Sequence, residues 1–266
     1  LKFESCILST RKLLPLFFGL LSFGFIACET NDLEPFVEPG DNAGSENPIT
    51  NPAPQPLPQV VLNTFGLEIV DDPKIPASMT LSENGVVNFS GKIGIEIRGS
   101  SSQMFPKKQF GLELWDDAQQ GIDASLLGIP EEEDWILYAP YSDKSLIRNV
   151  LMYDLSRSIG RYASRTRFVE VSINGAYNGV YVLMEKLKRD VNRIDLNKLK
   201  PDEVSGEDLT GGYILKIDKE YYTPDNSFNS YFAPNDAVAG QQIYFVYDTP
   251  KPEEIMPAQR EYISNY

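Results

Sequence analysis

The sequence predicts an α+β domain, and three of its stretches carry that prediction. Residues 94–114, GIEIRGSSSQMFPKKQFGLEL, read as two strands around a Gly/Ser loop, and residues 168–184, FVEVSINGAYNGVYVLM, read as a hairpin. Both alternate apolar and polar side chains with the period of a half-buried strand. Between them, residues 143–159 place Leu146, Ile147, Val150, Leu151, Leu155 and Ile159 three and four apart, the spacing of a helix face.

Arg11 and Lys12 precede an apolar run, Leu13 to Ala27, that is too short to span a bilayer, so residues 1–27 read as a secretory signal. Phe25-Ile26-Ala27-Cys28 is similar to a lipobox, which would make Cys28 the lipidated N-terminus of the mature chain. An uncleaved anchor helix or an ordinary cleavage site is the other reading. Residues 28–59 are rich in Pro, Asn, Glu and Gly with hardly any apolar pattern, and are expected to form a disordered, extended tether. The folded domain is expected over 60–266. It opens with strands at Val60 to Leu62 and Leu67 to Val70, continues at Val86 to Phe89, and reaches the 94–114 hairpin. The helix follows, with Ser142 as N-cap and Gly160 as stop. Asn174-Gly175 then marks a two-residue hairpin turn, because both residues readily take positive φ. Further strands are expected at Gly211 to Ile217 and Gln241 to Tyr247, with a helix beginning beyond Pro252.

The loop of the first hairpin carries Arg98 at its entrance and Lys107 and Lys108 at its exit. A tight loop that brings backbone N–H groups and fixed cations together suits an anion such as phosphate. Strand alternation puts Lys108 on the apolar side with Phe110, Leu112 and Leu114, facing the core or a cleft, and Lys107 with Gln109 and Glu113, where its charge stays in water. Equally, all three cations are ordinary edge-strand charges that discourage aggregation.

The formal charge of −14 argues against nonspecific nucleic-acid binding and favours basic partners. The chain has no histidine, which removes Ser-His-Asp hydrolysis, His-ligated zinc and His general-base chemistry. Its two cysteines are Cys6, inside the signal, and Cys28, so the mature domain has no disulfide to lean on.

In order along the chain, RGSSSQMFPKK (98–108), EEEDWILYAPYSDKSLIRN (131–149), FVEVSINGAYNGVYVLMEKLKRDVNRIDL (168–196) and GGYILKID (211–218) resemble the bacterial CotH kinase family, first known from spore coats. The resemblance runs from about Val60 to Tyr266. It implies an atypical protein-kinase-like fold, mainly a β-rich N-terminal lobe with one long helix, the second lobe being largely missing. It also implies transfer of phosphate from ATP to serine with Mg²⁺ or another divalent metal. On this resemblance Lys108, with Arg98, Ser100 and Ser101, would grip the ATP phosphates, and a hinge at Met184 to Lys186, centred on Glu185, would meet adenine. Without the resemblance, Glu185 reads as an exposed strand end, and Asp143, Arg148 and Asn149 read as cap and anchor of the helix.

The family's metal-binding and catalytic aspartates lie in an Asn-x-Asp and a Pro-Trp-Asp block, and neither occurs between Gly211 and Tyr266. They are expected downstream of Tyr266, in keeping with a chain that lacks an initiator methionine and reads as an inactive fragment. Asp218 is the nearest carboxylate in a family block and reads as a strand end. The expected setting is an exported protein, lipid-anchored at the outer membrane or cell surface, acting on a basic or Ser-rich protein and on no nucleic acid. A non-catalytic, surface-displayed adhesin is the alternative, since fungal members of the family act as host-cell adhesins.

Overall fold

The structure, a computed structural model, describes residues 56–217, 222–232 and 242–266, all within one compact unit, Pro54–Tyr266. The expected signal, Cys28, most of the expected tether and Asp218 lie outside the described residues. Four strands follow one another as a meander: β1 (Gln59–Asn63), β2 (Ile75–Glu83), β3 (Val86–Arg98) and β4 (Gln109–Trp115). A small two-stranded sheet, β5 (Ala124–Leu126) and β6 (Ile129–Glu132), precedes β7 (Asp134–Tyr138) and helix α1 (Arg148–Ser158). The hairpin β8 (Thr166–Ile173) and β9 (Ala176–Glu185) comes next. Last are β10 (Ile214–Lys216), β11 (Ser227–Asn229), β12 (Tyr244–Thr249) and α2 (Pro257–Asn265), the three strands forming a separate sheet in the order β10-β12-β11. Among the described residues no helix is long and apolar enough to cross a membrane.

Seven strands close into a barrel in the order β1-β2-β3-β4-β7-β9-β8. The closing contact is a parallel pairing of β1 with β8, in which Val60 faces Val171 and Leu62 faces Ile173. This corrects the expected fold. Among the described residues the chain is a mostly β protein built on a closed barrel with two helices, and no kinase-like lobe is indicated. The physical reason lies in alternation. Leu62, Met79, Leu81, Ile93, Ile95, Leu112, Leu114, Trp135, Leu137, Val169, Val171 and Tyr181 all point inward and are buried together. An open sheet would leave the edges at β1 and β8 unpaired and their apolar sides uncovered, whereas closure pairs every edge.

The Asn174-Gly175 turn forms as expected, with φ of 51° and 81°. It also helps close the barrel: Asn174 Oδ1 accepts the Thr64 N–H at 2.9 Å, and Asn174 Nδ2 donates to Thr64 Oγ1 at 2.9 Å. The expected strand at Leu67 to Val70 does not form, although the Val70 carbonyl accepts the Ile97 N–H at 2.7 Å.

Helix α1 differs from its expectation in start and orientation. It begins at Arg148, because Leu146 takes a φ of 64° and interrupts the turn before it. Asp143 accepts the N–H of Arg148 at 2.9 Å and the hydroxyl of Ser145 at 2.6 Å, tying the segment ahead of the helix to its first residue. These bonds, with Arg148 beside it, hold the Asp143 carboxyl below the usual range. Val150 and Tyr153 pack on Ile136, Val182 and Met184 outside the barrel. Ile147, Leu151, Leu155 and Ile159, four of the six residues whose spacing predicted the helix, are exposed.

Candidate functional site: the cationic loop and the ion-pair network

The loop between β3 and β4 is shaped by Gly99, whose φ of 107° suits glycine and whose missing Cβ leaves room for the Ser102 hydroxyl. A short 3₁₀ turn, Ser101–Met104, follows. Gln103 binds the loop together, its amide donating to the Gly99 carbonyl at 2.7 Å and to Asp71 at 2.8 Å. Lys108 closes it from the other side, donating to the Gln103 carbonyl at 2.5 Å. Arg98, Ser100 and Ser101 are exposed on the same loop, Arg98 standing opposite Gln109 where the two strands part. The structure thus gathers Arg98, Ser100, Ser101 and Lys108 on one element.

The two adjacent lysines are not divided as the strand pattern predicts. β4 begins at Gln109, so both lie ahead of the strand, and its alternation applies only from Phe110, Leu112 and Leu114 onward. Lys107 is not directed to water. It reaches β9, donates to the Val180 carbonyl at 2.6 Å and lies 4.3 Å from the centre of the Tyr181 ring. Burial lowers the pKa of Lys107, and burial pushes the phenol of Tyr181 beneath it up to about 12.

Glu185 sits elsewhere. It pairs with Trp135, and Trp135 pairs with Leu112, so about 13 Å of strand separates its level from Lys108. The expectation of an exposed strand end fails, since Glu185 is fully buried. Its carboxylate accepts the Arg165 N–H and the Arg165 guanidinium, each at 2.7 Å, and the Tyr162 hydroxyl at 3.2 Å. Its backbone is engaged too: the N–H donates to the Arg165 carbonyl at 3.3 Å, and the carbonyl accepts the Ser164 hydroxyl at 3.0 Å. The Glu185 N–H is thereby committed to Arg165, and its carbonyl already accepts one hydrogen bond.

Around Glu185 runs an ion-pair network that motif reading missed. Arg193, 1% exposed, lies 3.9 Å from Glu185 and 3.4 Å from Glu132, and donates to the backbone carbonyls of Lys186 and Asp134. Lys188 meets Glu132, Glu133 and Asp134; Lys186 meets Asp134 at 3.2 Å; Lys74 bridges Glu113 and Asp134. Burial raises the pKa of Asp134, but Lys186, Lys188 and Lys74 outweigh it and hold the carboxyl below its usual range. The available signal was the charge runs themselves. EEED at 131–134 and KLKR at 186–189 are matched blocks of opposite sign, and β7 and β9 bring them together.

Carboxylate oxygens of Glu132, Glu133 and Asp134 lie within 4.8 Å of one another, which tests whether a divalent metal fits here. It does not fit as the residues stand. The Lys188 ammonium already contacts all three, and a hard cation would have to displace it.

Comparison with known proteins bears on the same elements. The family described as CotH kinase protein matches residues 95–266, from inside β3 through the loop, the network and the C-terminal sheet. The inner spore coat protein H of Bacillus subtilis (strain 168) is 29% identical over 120 residues, which is 45% of this chain and 29% of that protein. The matched stretch is thus under a third of that relative's length. With the family match covering well over half its residues, the chain belongs to the CotH kinase protein family.

Proposed function

We propose that this CotH-family chain binds ATP through the loop 98–108 and serves the transfer of its terminal phosphate to serine in a basic or Ser-rich protein. The observation that carries this reading is Lys108. It stands on a cationic loop inside the family match, and its contact with Gln103 uses one of the three donors of an ammonium. Arg98 on the same loop, with the hydroxyls of Ser100 and Ser101, supplies further groups of the kind that hold phosphate oxygens. Magnesium or another divalent ion, implied by the family's chemistry, has no matching ligand set in the acidic cluster, so no step is assigned to it. Cys28, carrying lipid, would tether the protein at the outer membrane or cell surface.

The test is a titration of the purified chain with ATP, followed by incubation with ATP labelled at the γ-phosphate and a Lys/Arg-rich, serine-containing protein. Saturable binding is expected. A chain that binds no ATP overturns the reading and leaves a surface-displayed binding module, which the complete pairing of the acidic network also suits. For the tether, incorporation of radiolabelled fatty acid is expected in the wild type and lost in Cys28→Ala. Equal labelling of the two would refute it.

A further inference from the structure

The outer face of the barrel across β2, β3 and β4 contrasts with the ion-paired end. Register sets Ser78, Lys92 and Trp115 in one row over the three strands, with Ser90 alongside Lys92's strand position. Their inward neighbours, Ala77, Met79, Ile93 and Leu114, fill the core, so this row faces outward. The Trp115 indole lies across Gly94, whose missing Cβ is what allows the ring to rest on the strand. The turn beyond it is ordered by Asp116, which accepts the N–H groups of Ala118 and Gln120 at 2.8 and 2.9 Å. That turn sets Asp117 at the rim, 2.8 Å from Lys92. The result is an open trough of about 470 Å³ lined by Trp115 together with Ser78, Ser90, Lys92 and Asp117.

We propose that this trough binds an oligosaccharide of pyranoses with equatorial substituents, one ring lying on Trp115. A pyranose with equatorial substituents has apolar C–H faces and a polar edge of hydroxyls. Trp115 offers the matching apolar face and an indole N–H that donates to no described residue. Ser78, Ser90 and the paired Lys92 and Asp117 line the same trough and supply both donors and acceptors for sugar hydroxyls. The trough is shallow and open at its sides, so it suits internal units of a chain and not a buried terminus. The site is independent of the phosphate-binding loop, and its test does not involve ATP.

The chain has two tryptophans, which makes the measurement direct. Trp135 is fully buried and donates to the Glu132 carbonyl at 2.8 Å, so its indole resonance serves as an internal control. In ¹⁵N-labelled protein titrated with cellotetraose, and separately with tetra-N-acetylchitotetraose, the Trp115 indole N–H is expected to shift in a saturable way while that of Trp135 stays in place. Trp115→Ala should weaken binding about tenfold or more, and Trp115→Phe should retain most of it. Ser78→Ala with Ser90→Ala, two changes on the outer face, should weaken it less. If neither sugar moves the Trp115 resonance, the ring only covers a glycine and the proposal is wrong; the same follows if Trp115→Ala binds either sugar as the wild type does.

Discussion

Glu185→Ala is expected to cost about 3–5 kcal/mol of folding stability, the range for breaking a buried ion pair on one side only. The carboxylate is fully buried and is a counter-charge to Arg193, whose side chain is 1% exposed and has no route to water without moving. Its loss also takes the acceptor from the Arg165 N–H and from the Tyr162 hydroxyl. Against a total stability of about 5–15 kcal/mol for a typical domain, that is a large fraction. Glu185→Gln keeps the shape and one good acceptor but not the charge, so it should fall between wild type and alanine. Urea unfolding followed by circular dichroism measures both. A Glu185→Ala chain within about 1 kcal/mol of wild type would mean that Arg193 is adequately served by Glu132 alone, and that the network is not what holds the segment after β9 to the barrel.

The reasons why Glu185 could not be read from the sequence apply to much of the site. Local signals were legible: Asn174-Gly175 names its own turn, and the period-two patterns of β3, β4, β8 and β9 mark which residues enter the core. What closes the barrel is the parallel pairing of β1 with β8, residues more than a hundred positions apart, and no local pattern specifies that partner. The kinase-like expectation came from a correct family and an architecture the chain does not adopt. Burial at a strand end was equally hidden. Glu185 is a charged residue that looked exposed until β7 brought the 131–134 carboxylates, and the following segment brought Arg193, to the same place. Helix α1 shows the opposite error, since of its apolar spacing only Val150 packs on the barrel, joined by Tyr153, while Ile147, Leu151, Leu155 and Ile159 stay exposed. Periodicity predicts that a helix forms more reliably than it predicts which face the protein uses.

Lys107→Ala and Lys108→Ala should separate stability from nucleotide binding, because the two ammonium groups are engaged in different ways. Lys107 is committed to the barrel: it gives a hydrogen bond to the Val180 carbonyl and covers the face of Tyr181. Removing it should cost about 1–2 kcal/mol of stability, the sum of a modest hydrogen bond and a partly desolvated cation–π contact. It should leave ATP affinity close to wild type, since this amine is turned to the Val180 carbonyl and the Tyr181 ring on β9. Among the described residues, Lys108 is held by the Gln103 carbonyl of its own loop. If it also holds phosphate, its loss removes a charge-assisted hydrogen bond of about 1.5–3 kcal/mol, which lowers ATP affinity roughly ten- to a hundredfold. The loop is exposed and short, so its rearrangement should cost the fold little. Parallel urea melts and ATP titrations on both variants decide the matter. Loss of ATP binding in Lys107→Ala with unchanged stability would make Lys107 the phosphate ligand, reached by swinging off Tyr181. Full ATP binding in Lys108→Ala would remove the loop's lysine from the site and leave Arg98 to carry the phosphate.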